Sequence, residues 1–388
     1  MRPLLTTFLS AFIASTAAAA PSQAPRGSYQ FVAPDKSSQP VSYASGESEA
    51  VIYLNNIGGL FIPGTNDARM NTSSLIDDPT WIPPFLGSTS EWDELVACVE
   101  DQFSGFRVTI TDSDPGFVPH YEAVVAGDPS DLDQADHIGG LSPFRLDCGV
   151  IDNSVVFVFA ELFGDETDRL CDVVAQEIAH SFGLDHQMNC DDPMSYLGGC
   201  GIKRFRNEEA ECGEYEARPC ACGQETQNSK KVLGKYLGDS LAPELDIASP
   251  APDAMINPNF YVDVRAEDNI GIERVELWVD GEQVSSQALR PFIFEFTGQL
   301  PDGAHDIEVR VFDSENTTSK SIAVTVDADA EMQPPPPVQK LGGRIQPLSN
   351  VRGGCSATGS PSNGSLIALA LLGFFALLGR RRRALAKR

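Results

Sequence analysis

The chain has few basic residues. Its 388 residues include 28 lysines and arginines against 55 aspartates and glutamates, which gives a formal net charge of −27. Proteins that bind nucleic acids need a basic surface, so this composition excludes nucleic acid as a partner. The acidic residues are spread along the chain instead of being gathered in a tail, and this distribution favours solubility.

Histidine is scarce as well, which limits where a metal centre could be built. The chain contains five histidines, and two of them fall within one short segment. The five are His120, His137, His180, His186 and His305. A metal site that uses imidazole ligands therefore depends on the segment that holds His180 and His186.

That segment, QEIAHSFGLDH, matches the pattern H-E-x-x-H-x-x-G-x-x-H except at its first position, Gln176. Helix positions i and i+4 lie on one face about 6 Å apart, so Gln176 and His180 can face one ion. Gly183 lacks a Cβ and allows a sharp turn that brings His186 to the same ion. Glu177 lies beside this face, where it can take a proton from a metal-bound water. The spacing predicts a catalytic centre with one Zn²⁺.

A second motif, DPMSY, follows at Asp192 to Tyr196. It resembles the Met-turn of the metzincin zinc proteases, in which a methionine forms the floor beneath the metal, and Met194 holds that position. Tyr196 stands where a tyrosine approaches the zinc in astacin- and serralysin-like members. With the preceding segment, the chain resembles a matrixin-like or more distant metzincin.

The resemblance implies an α+β fold for residues 49–240, a metzincin-like domain with a twisted mixed sheet and two main helices. It implies that Glu177 is the general base and that the strand before the site helix borders the cleft. A peptide substrate would add to an exposed edge strand there. Residues 21–48 contain no cysteine, which excludes a matrixin-type cysteine switch.

Gln176 departs from the family at a zinc ligand. An amide oxygen is a neutral, hard donor, whereas zinc favours imidazole, thiolate or carboxylate. Losing even a group that supports a ligand costs about 10–100-fold in metal affinity, and a changed ligand should cost at least as much. Gln176 can still ligate weakly, Tyr196 can supply a donor, or His120 or His137 can reach the site from elsewhere in the fold.

Both ends of the chain carry features of export and display. Residues 1–20 combine a positive start, an apolar run and a small-residue tract, as in a secretory signal peptide. Residues 355–388 combine Cys355, an apolar run shorter than the ~20 residues that span a bilayer comfortably, and an arginine cluster. This order resembles the MYXO-CTERM sorting tail of myxobacterial surface proteins, with Cys355 in the processing motif. It implies an exported protein, anchored at the outer membrane or cell surface or released; an ordinary tail anchor would also leave the body outside.

The other eight cysteines predict disulfides. They are Cys98, Cys148, Cys171, Cys190, Cys200, Cys212, Cys220 and Cys222. An even count in an exported chain predicts up to four bridges. The alternative, a zinc cluster between 190 and 222, is less favoured because no C-x-x-C pair occurs there. The pairing stays open, but a bridge near Cys190 and Cys200 would hold the DPMSY motif rigid.

Composition divides the remaining chain. Residues 21–48 are rich in Ser, Pro, Gln and Gly and read as a linker or a short propeptide. Residues 245–328 alternate as short strands with Asp-Gly turns, which predicts an all-β Ig-like sandwich similar to bacterial Ig-like modules. Residues 329–354, with four consecutive prolines, predict a Pro/Gly-rich stalk.

Three helices are predicted in the first domain. Residues 90–103 have an apolar stripe, and Ser90 with Asp93 suggests the cap. Residues 167–182 carry the zinc motif, and residues 225–238 suggest a final helix. The Asp-rich loops at 112–114 and 128–136 could bind Ca²⁺ or be ordinary solvated turns; neither matches an EF-hand.

Two functions compete on these grounds. The first is a secreted, surface-anchored and monomeric zinc endopeptidase that hydrolyses proteins or peptides with a metal-activated water. The second is a non-catalytic surface protein of the same fold that binds peptides, matrix or other cells. Glu177 favours the first, because a binding site has no need for a carboxylate beside a metal face. Gln176 favours the second.

Overall fold

The structure is a computed structural model that describes residues 25–33, 49–298 and 300–337. The predicted signal peptide, most of the predicted linker, and the tail with Cys355 lie outside the described residues. Within the described part of the chain, no helix is both long and apolar enough to cross a bilayer.

The N-terminal part of the fold contains strands and helices in mixed order. The strands are β1 (Arg26–Val32), β2 (Ala50–Asn55), β3 (Gly59–Pro63), β4 (Thr72–Ser73), β5 (Thr80–Ile82), β6 (Val108–Thr111), β7 (Tyr121–Val125), β8 (Ile138–Arg145), β9 (Val155–Val158), β10 (Ala210–Glu211) and β11 (Thr226–Gln227). The helices are α1 (Thr89–Gln102), α2 (Thr167–His180) and α3 (Ser229–Leu237). Short 3-10 turns occur at Ala68–Met70, Pro129–Leu132 and Ala160–Leu162.

Six of these strands form one mixed sheet in the order β1-β8-β9-β7-β2-β6. Neighbouring strands are parallel except β8 and β9. The sheet lies between two apolar layers because its strands alternate their side chains. Val156 and Val158 of β9 pack with α1 and α2, whereas Val155 and Phe157 pack with the small sheet of β3, β4 and β5. The predicted α+β class with a mixed sheet and two main helices is what the structure contains.

The helices differ from their predicted bounds by at most four residues, and α2 begins at Thr167 as predicted. The cap of α1 is Ser88, which accepts from the backbone of Glu91 while the Glu91 side chain accepts from the backbone of Ser88. The predicted Ser90–Asp93 cap is therefore wrong, because the reciprocal pair two residues earlier satisfies the first free N–H groups of the helix. Helix α2 ends at His180.

Two strands around the cleft depart from expectation. The predicted loose linker contains β1, whose residues 26–32 pair in parallel with β8. The strand before the site helix, β9, lies inside the sheet between β8 and β7, so it does not border a free edge. Strand β8, not β9, is next to the outermost strand on this side of the sheet, and its outer edge pairs with β1.

The C-terminal part is a β-sandwich, as predicted. Its strands are β12 (Glu244–Ser249), β13 (Met255–Ile256), β14 (Phe260–Glu267), β15 (Arg274–Val279), β16 (Glu282–Gln287), β17 (Phe292–Phe296), β18 (Gly303–Phe312) and β19 (Thr317–Val326). They form a three-stranded sheet, β12-β14-β17, and a five-stranded sheet, β13-β19-β18-β15-β16. Alternating apolar residues of both sheets, such as Val262 and Val309, form a separate core between them.

Candidate functional site

Two imidazoles converge at the end of α2. The Nε2 atoms of His180 and His186 lie 3.1 Å apart, and both side chains are buried. The Nδ1 of His180 faces the carbonyl oxygen of Leu184 at 2.6 Å, so Nδ1 carries the proton and Nε2 presents a lone pair. The Nδ1 of His186 faces a carboxylate oxygen of Glu214 at 3.1 Å, which favours the same tautomer. The two Nε2 atoms therefore lie within hydrogen-bond distance of each other in a buried site, with each Nδ1 held by an acceptor of its own.

A zinc ion between the two rings would be within reach of both Nε2 atoms. Two nitrogens bound to one tetrahedral Zn²⁺ at about 2.05 Å would lie roughly 3.3 Å apart, close to the spacing observed. Burial, together with the nearby His186, lowers the pKa of His180 to about 3, so this ring is neutral and its Nε2 offers a lone pair. The two imidazoles thus have the donor chemistry and orientation that a zinc ion needs from two of its ligands.

The turn after α2 brings His186 back to His180. Gly183 has a φ of +85°, and a Cβ there would overlap the carbonyl of Cys148. This close approach explains why glycine stands at the position that ends the helix.

A charged network holds the His186 ring. Arg218 bonds both Glu214, at 2.7 Å, and the fully buried carboxylate of Asp185, at 2.6 and 2.9 Å. The bond to His186, with further help from Arg218, keeps the pKa of Glu214 well below its usual range. Glu214 thus stays ionised and supports the imidazole, as carboxylates commonly do behind metal-bound histidines.

Glu177 lies on the same helix, with its carboxylate buried under β8 and β1. Its Oε1 accepts the backbone N–H of Ser28 at 3.0 Å, and the hydroxyl of Ser142 contacts its Oε2. A Cβ on Gly140 of β8 would lie 2.7 Å from the Glu177 side chain, so glycine is needed for this approach. Burial raises the pKa of Glu177 well above its usual range.

Gln176 is also buried beside the cleft. Its Nε2 has no hydrogen-bond partner among the described residues. A Cβ on Gly27 would overlap the side-chain oxygens of both Gln176 and Glu177. The amide of Gln176 therefore lies against the backbone of β1, and its nitrogen is left unsatisfied.

Strand β1 fills the cleft over these residues. In its register with β8, Gly27 is opposite Gly140. The hydroxyl of Tyr196 donates to the carbonyl of Gly27. The ring of Tyr29 lies 5.0 Å from each imidazole, and its hydroxyl donates to Asp185 at 2.9 Å. The chain's own residues 26–32 therefore occupy the groove beside Glu177.

The DPMSY motif reaches His186 through Tyr196. Met194 is fully buried, its N–H donates to Asp192 at 3.0 Å, and its carbonyl accepts from Gln187 at 3.1 Å. The ring of Tyr196 is centred 4.4 Å from that of His186. Burial raises the pKa of Tyr196 above its usual range, so the phenol is protonated and can donate.

The predicted disulfides are confirmed, and the structure supplies their pairing. The four bridges are Cys98–Cys171, Cys148–Cys222, Cys190–Cys200 and Cys212–Cys220. The first joins α1 to α2, and the second ties the chain near Gly183 to the loop after Arg218. The third encloses the DPMSY motif, as expected for a bridge that would hold it rigid. These pairings exclude the alternative zinc cluster between 190 and 222.

The remaining histidines lie away from the centre. His120 precedes β7, where its Nδ1 bonds the carbonyl of Val118 at 2.7 Å and its ring is 6.0 Å from Tyr53. His137 is exposed. His305 pairs with Asp280 in the sandwich at 2.7 Å. None of the three contacts His180 or His186, so the structure does not bring a third histidine to the site.

Several residues of the site had no signal in the sequence. Tyr29, Ser142 and the pair Glu214 and Arg218 come from three segments far apart in the chain, and no motif marks them. The Asp-rich loops use their carboxylates locally, as when Asp128 and Asp131 cap a 3-10 turn. Within the described ranges, neither loop brings three metal-ligating groups together.

Comparisons with known proteins support the sandwich. Residues 243–309 match the family model of the bacterial Ig domain. The C-terminal part of the chain is therefore an Ig-like domain, a type that, like the disulfides, is typical of extracellular proteins. None of the curated proteins matches this chain.

Similar solved structures cover only a part of it. Fibronectin(III)-like modules of CbhA from Clostridium thermocellum are 28% identical over 24% of this chain and 50% of theirs, with a TM-score of 0.21. An endo-beta-1,4-mannanase from Thermotoga petrophila is 16% identical over 26% of this chain and 23% of its own, with a TM-score of 0.20. Latent PorU from Porphyromonas gingivalis is 17% identical over 24% of this chain and 11% of its own, with a TM-score of 0.20. The chain thus spans half or less of each, and these likenesses say nothing about activity.

Proposed function

We propose that this chain is a metzincin-like zinc endopeptidase, exported and displayed at the cell surface or released, and held latent by residues 26–32. The convergence of His180 and His186 carries the proposal. Their Nε2 atoms face each other at 3.1 Å while each Nδ1 is bonded to a separate acceptor. Two buried imidazoles with this spacing, each held from behind through Nδ1, have the arrangement that a zinc ion needs from two of its ligands.

Two of the three protein ligands that a catalytic zinc ion needs would be imidazoles, and the third would be a weaker donor. His180 and His186 would hold the ion through Nε2, with Gln176 or Tyr196 as the further donor. When bound, zinc would lower the pKa of a water molecule to about 7. Glu177 would then accept the proton of that water, because its carboxylate lies on the adjacent face of α2. Ser142 orients this carboxylate, and Glu214 keeps the His186 ring in place.

Latency follows from the position of β1. A peptide substrate would use the open edge of β8 through backbone hydrogen bonds, and β1 already uses that edge. The backbone N–H of Ser28 donates to one carboxylate oxygen of Glu177, and the carbonyl of Gly27 accepts the hydroxyl of Tyr196. Residues 26–32 must therefore leave before Glu177 can meet a water molecule, which fits the short propeptide considered from the sequence.

A second function remains in competition because of Gln176. Its amide oxygen is a weaker zinc donor than an imidazole, and its buried Nε2 has no partner in the described part of the chain. A chain of this fold that binds peptide on β8 without zinc would keep the groove and lose the chemistry. The Ig-like domain, a common type in extracellular proteins, suits attachment under either function.

The deciding experiment measures zinc and hydrolysis on the exported chain. Zinc per chain is determined by mass spectrometry, and cleavage of an unfolded protein is followed before and after limited proteolysis removes residues 25–33. We expect about one zinc per chain and activity only after removal. Glu177→Gln should abolish cleavage and retain the zinc.

The matched control is Glu216→Gln, an exposed carboxylate near the same site, which should cleave as the wild type does. A folded chain without zinc would support the binding function. A chain with zinc that never cleaves, or one in which Glu177→Gln still cleaves, would overturn the proposed mechanism.

A further inference from the structure

A cluster of carboxylates lies where the first domain meets the Ig-like domain. Asp239 follows α3, Asp268 follows β14 and Asp313 follows β18. One oxygen from each lies within 4.8 Å of the other two. The three residues come from both domains, so the cluster exists only when the domains are in contact.

The cluster contains buried oxygens that nothing in the described residues satisfies. Asp239 is fully buried; its Oδ1 accepts from the N–H of Leu241 at 3.1 Å and from Asn269 at 3.2 Å, but its Oδ2 has no partner. Oδ1 of Asp268 and Oδ1 of Asn269 are buried and unpartnered as well. Buried polar atoms are rarely left without a partner, so three in one place point to a missing ligand.

The charge balance points to a cation. The carboxylate of Glu315 accepts the N–H of Asp239 at 3.2 Å, which brings a fourth negative group to the cluster. Arg107 pairs with Glu315 at 2.7 Å, and Lys230 lies within electrostatic range of Asp239 and Asp268. Four carboxylates against two cations leave a formal charge of −2, which one divalent ion would neutralise. Burial, with the nearby Asp268 and Asp313, raises the pKa of Asp239 to about 6, a sign that its charge is poorly compensated.

We propose that Asp239, Asp268 and Asp313, together with the side-chain oxygen of Asn269, bind one Ca²⁺ at the junction of the two domains. Every donor is an oxygen, which calcium and magnesium prefer and zinc does not. Ca²⁺ accepts about six to eight oxygens in a flexible geometry, whereas Mg²⁺ demands a near-ideal octahedron, so calcium suits an irregular set of carboxylates better. The site is independent of the His180–His186 centre and of the proposed hydrolysis.

The ion would fix the orientation of the Ig-like domain on the first domain. Without it, the direct polar contacts across the junction include Asn269 to Gly105 at 3.4 Å and Asn207 to Ile270 at 2.5 Å. Both donors are neutral amides, and such bonds contribute about 1 kcal/mol each. The Arg107–Glu315 ion pair also crosses the junction, so the bound ion would act beside one charged contact. A bound ion adds ligands from both sides and removes the carboxylate repulsion, so it should rigidify the junction.

The test is calcium binding by the whole exported chain after chelation and desalting. Equilibrium dialysis against CaCl2 should give one Ca²⁺ per chain, with a Kd on the order of 10⁻⁴ to 10⁻³ M, as in extracellular modules. The melting temperature should rise with CaCl2. Asp268→Asn should weaken binding at least about tenfold, and Asp313→Asn should do the same.

The matched control is Asp136→Asn. Asp136 is exposed and lies in the Asp-rich loop at 128–136, away from the cluster in sequence, so this variant should bind Ca²⁺ as the wild type does. No calcium bound by the folded wild-type chain at about 10 mM would overturn the proposal. Binding that survives both Asp268→Asn and Asp313→Asn in folded chains would also overturn it.

Discussion

The backbone N–H of Ser28 donates to Oε1 of Glu177 at 3.0 Å, although the two residues are 149 positions apart in the chain. The bond occupies one of the two carboxylate oxygens of Glu177. It also fixes the register of β1 on β8, since Gly27 then lies directly over the carboxylate. The first prediction follows from this contact.

Changing Gly27 to Ala should loosen β1. The new Cβ would overlap Glu177 and Gln176, and Glu177 cannot move freely because Ser142 holds it. Overpacking of this kind costs about 1–3 kcal/mol, so the undocked state should be populated roughly tenfold more or higher. The rate at which an added protease cuts within residues 25–33 measures this population.

Gln30→Ala is the matched control for Gly27→Ala, since Gln30 is on the same strand and exposed. It should be cut at the wild-type rate. Equal protection of Gly27→Ala and the wild type would mean that β1 does not dock as described.

Changing Gln176 to His should raise zinc affinity at least about tenfold. Imidazole is a better zinc donor than a neutral amide, and the change completes the three-histidine pattern. Competition with a chelator of known affinity gives the two constants. An unchanged affinity would show that position 176 does not face the metal.

Changing Glu214 to Gln should lower zinc affinity about 10–100-fold while the chain stays folded. The variant keeps the shape of the side chain but loses the charge that supports Nδ1 of His186. The same chelator competition applies, with Glu216→Gln expected to match the wild type. Equal zinc affinity in all three chains would mean that Glu214 does not support metal binding.

Glu122 predicts a pH dependence of folding. Its side chain is buried in β7, Asn55 donates to it at 2.8 Å, and its Oε2 has no partner. Burial raises the pKa of Glu122 to about 7. Between about pH 4.5 and 7 the unfolded chain has lost this proton and the folded chain keeps it, so stability falls as pH rises through that window and is level above it.

Glu122→Gln should remove this contribution to the free energy of unfolding, which is worth about 3 kcal/mol. Urea unfolding at pH 4.5 and pH 7.5 measures the free energy of unfolding at each pH. The decrease from pH 4.5 to pH 7.5 should be smaller in the variant than in the wild type. Glu100→Gln, at an exposed carboxylate on α1, should behave as the wild type does. An equal loss in all three chains would contradict the raised pKa.

Local patterns predicted much of the fold. The apolar spacing on α1 and α2 and the alternation in the Ig-like strands were enough to identify these elements, because helices and strands have fixed periods. The even set of eight cysteines predicted four bridges. Strands β1 and β8 were missed. The first lies in a stretch whose composition is typical of linkers, and the second contains the pair Gly139-Gly140, which weakens any strand pattern.

The sequence by itself determined the candidate ligands, the candidate base and the helical spacing that orders them. Those properties depend on residues within eleven positions of one another. Only the tertiary structure decided which acceptors hold the two imidazoles, that β1 fills the groove over Glu177, and that Asp239, Asp268 and Asp313 meet at one junction. These relationships join segments up to 189 residues apart, as between Tyr29 and Arg218, and no local pattern records which distant side chains a fold brings together.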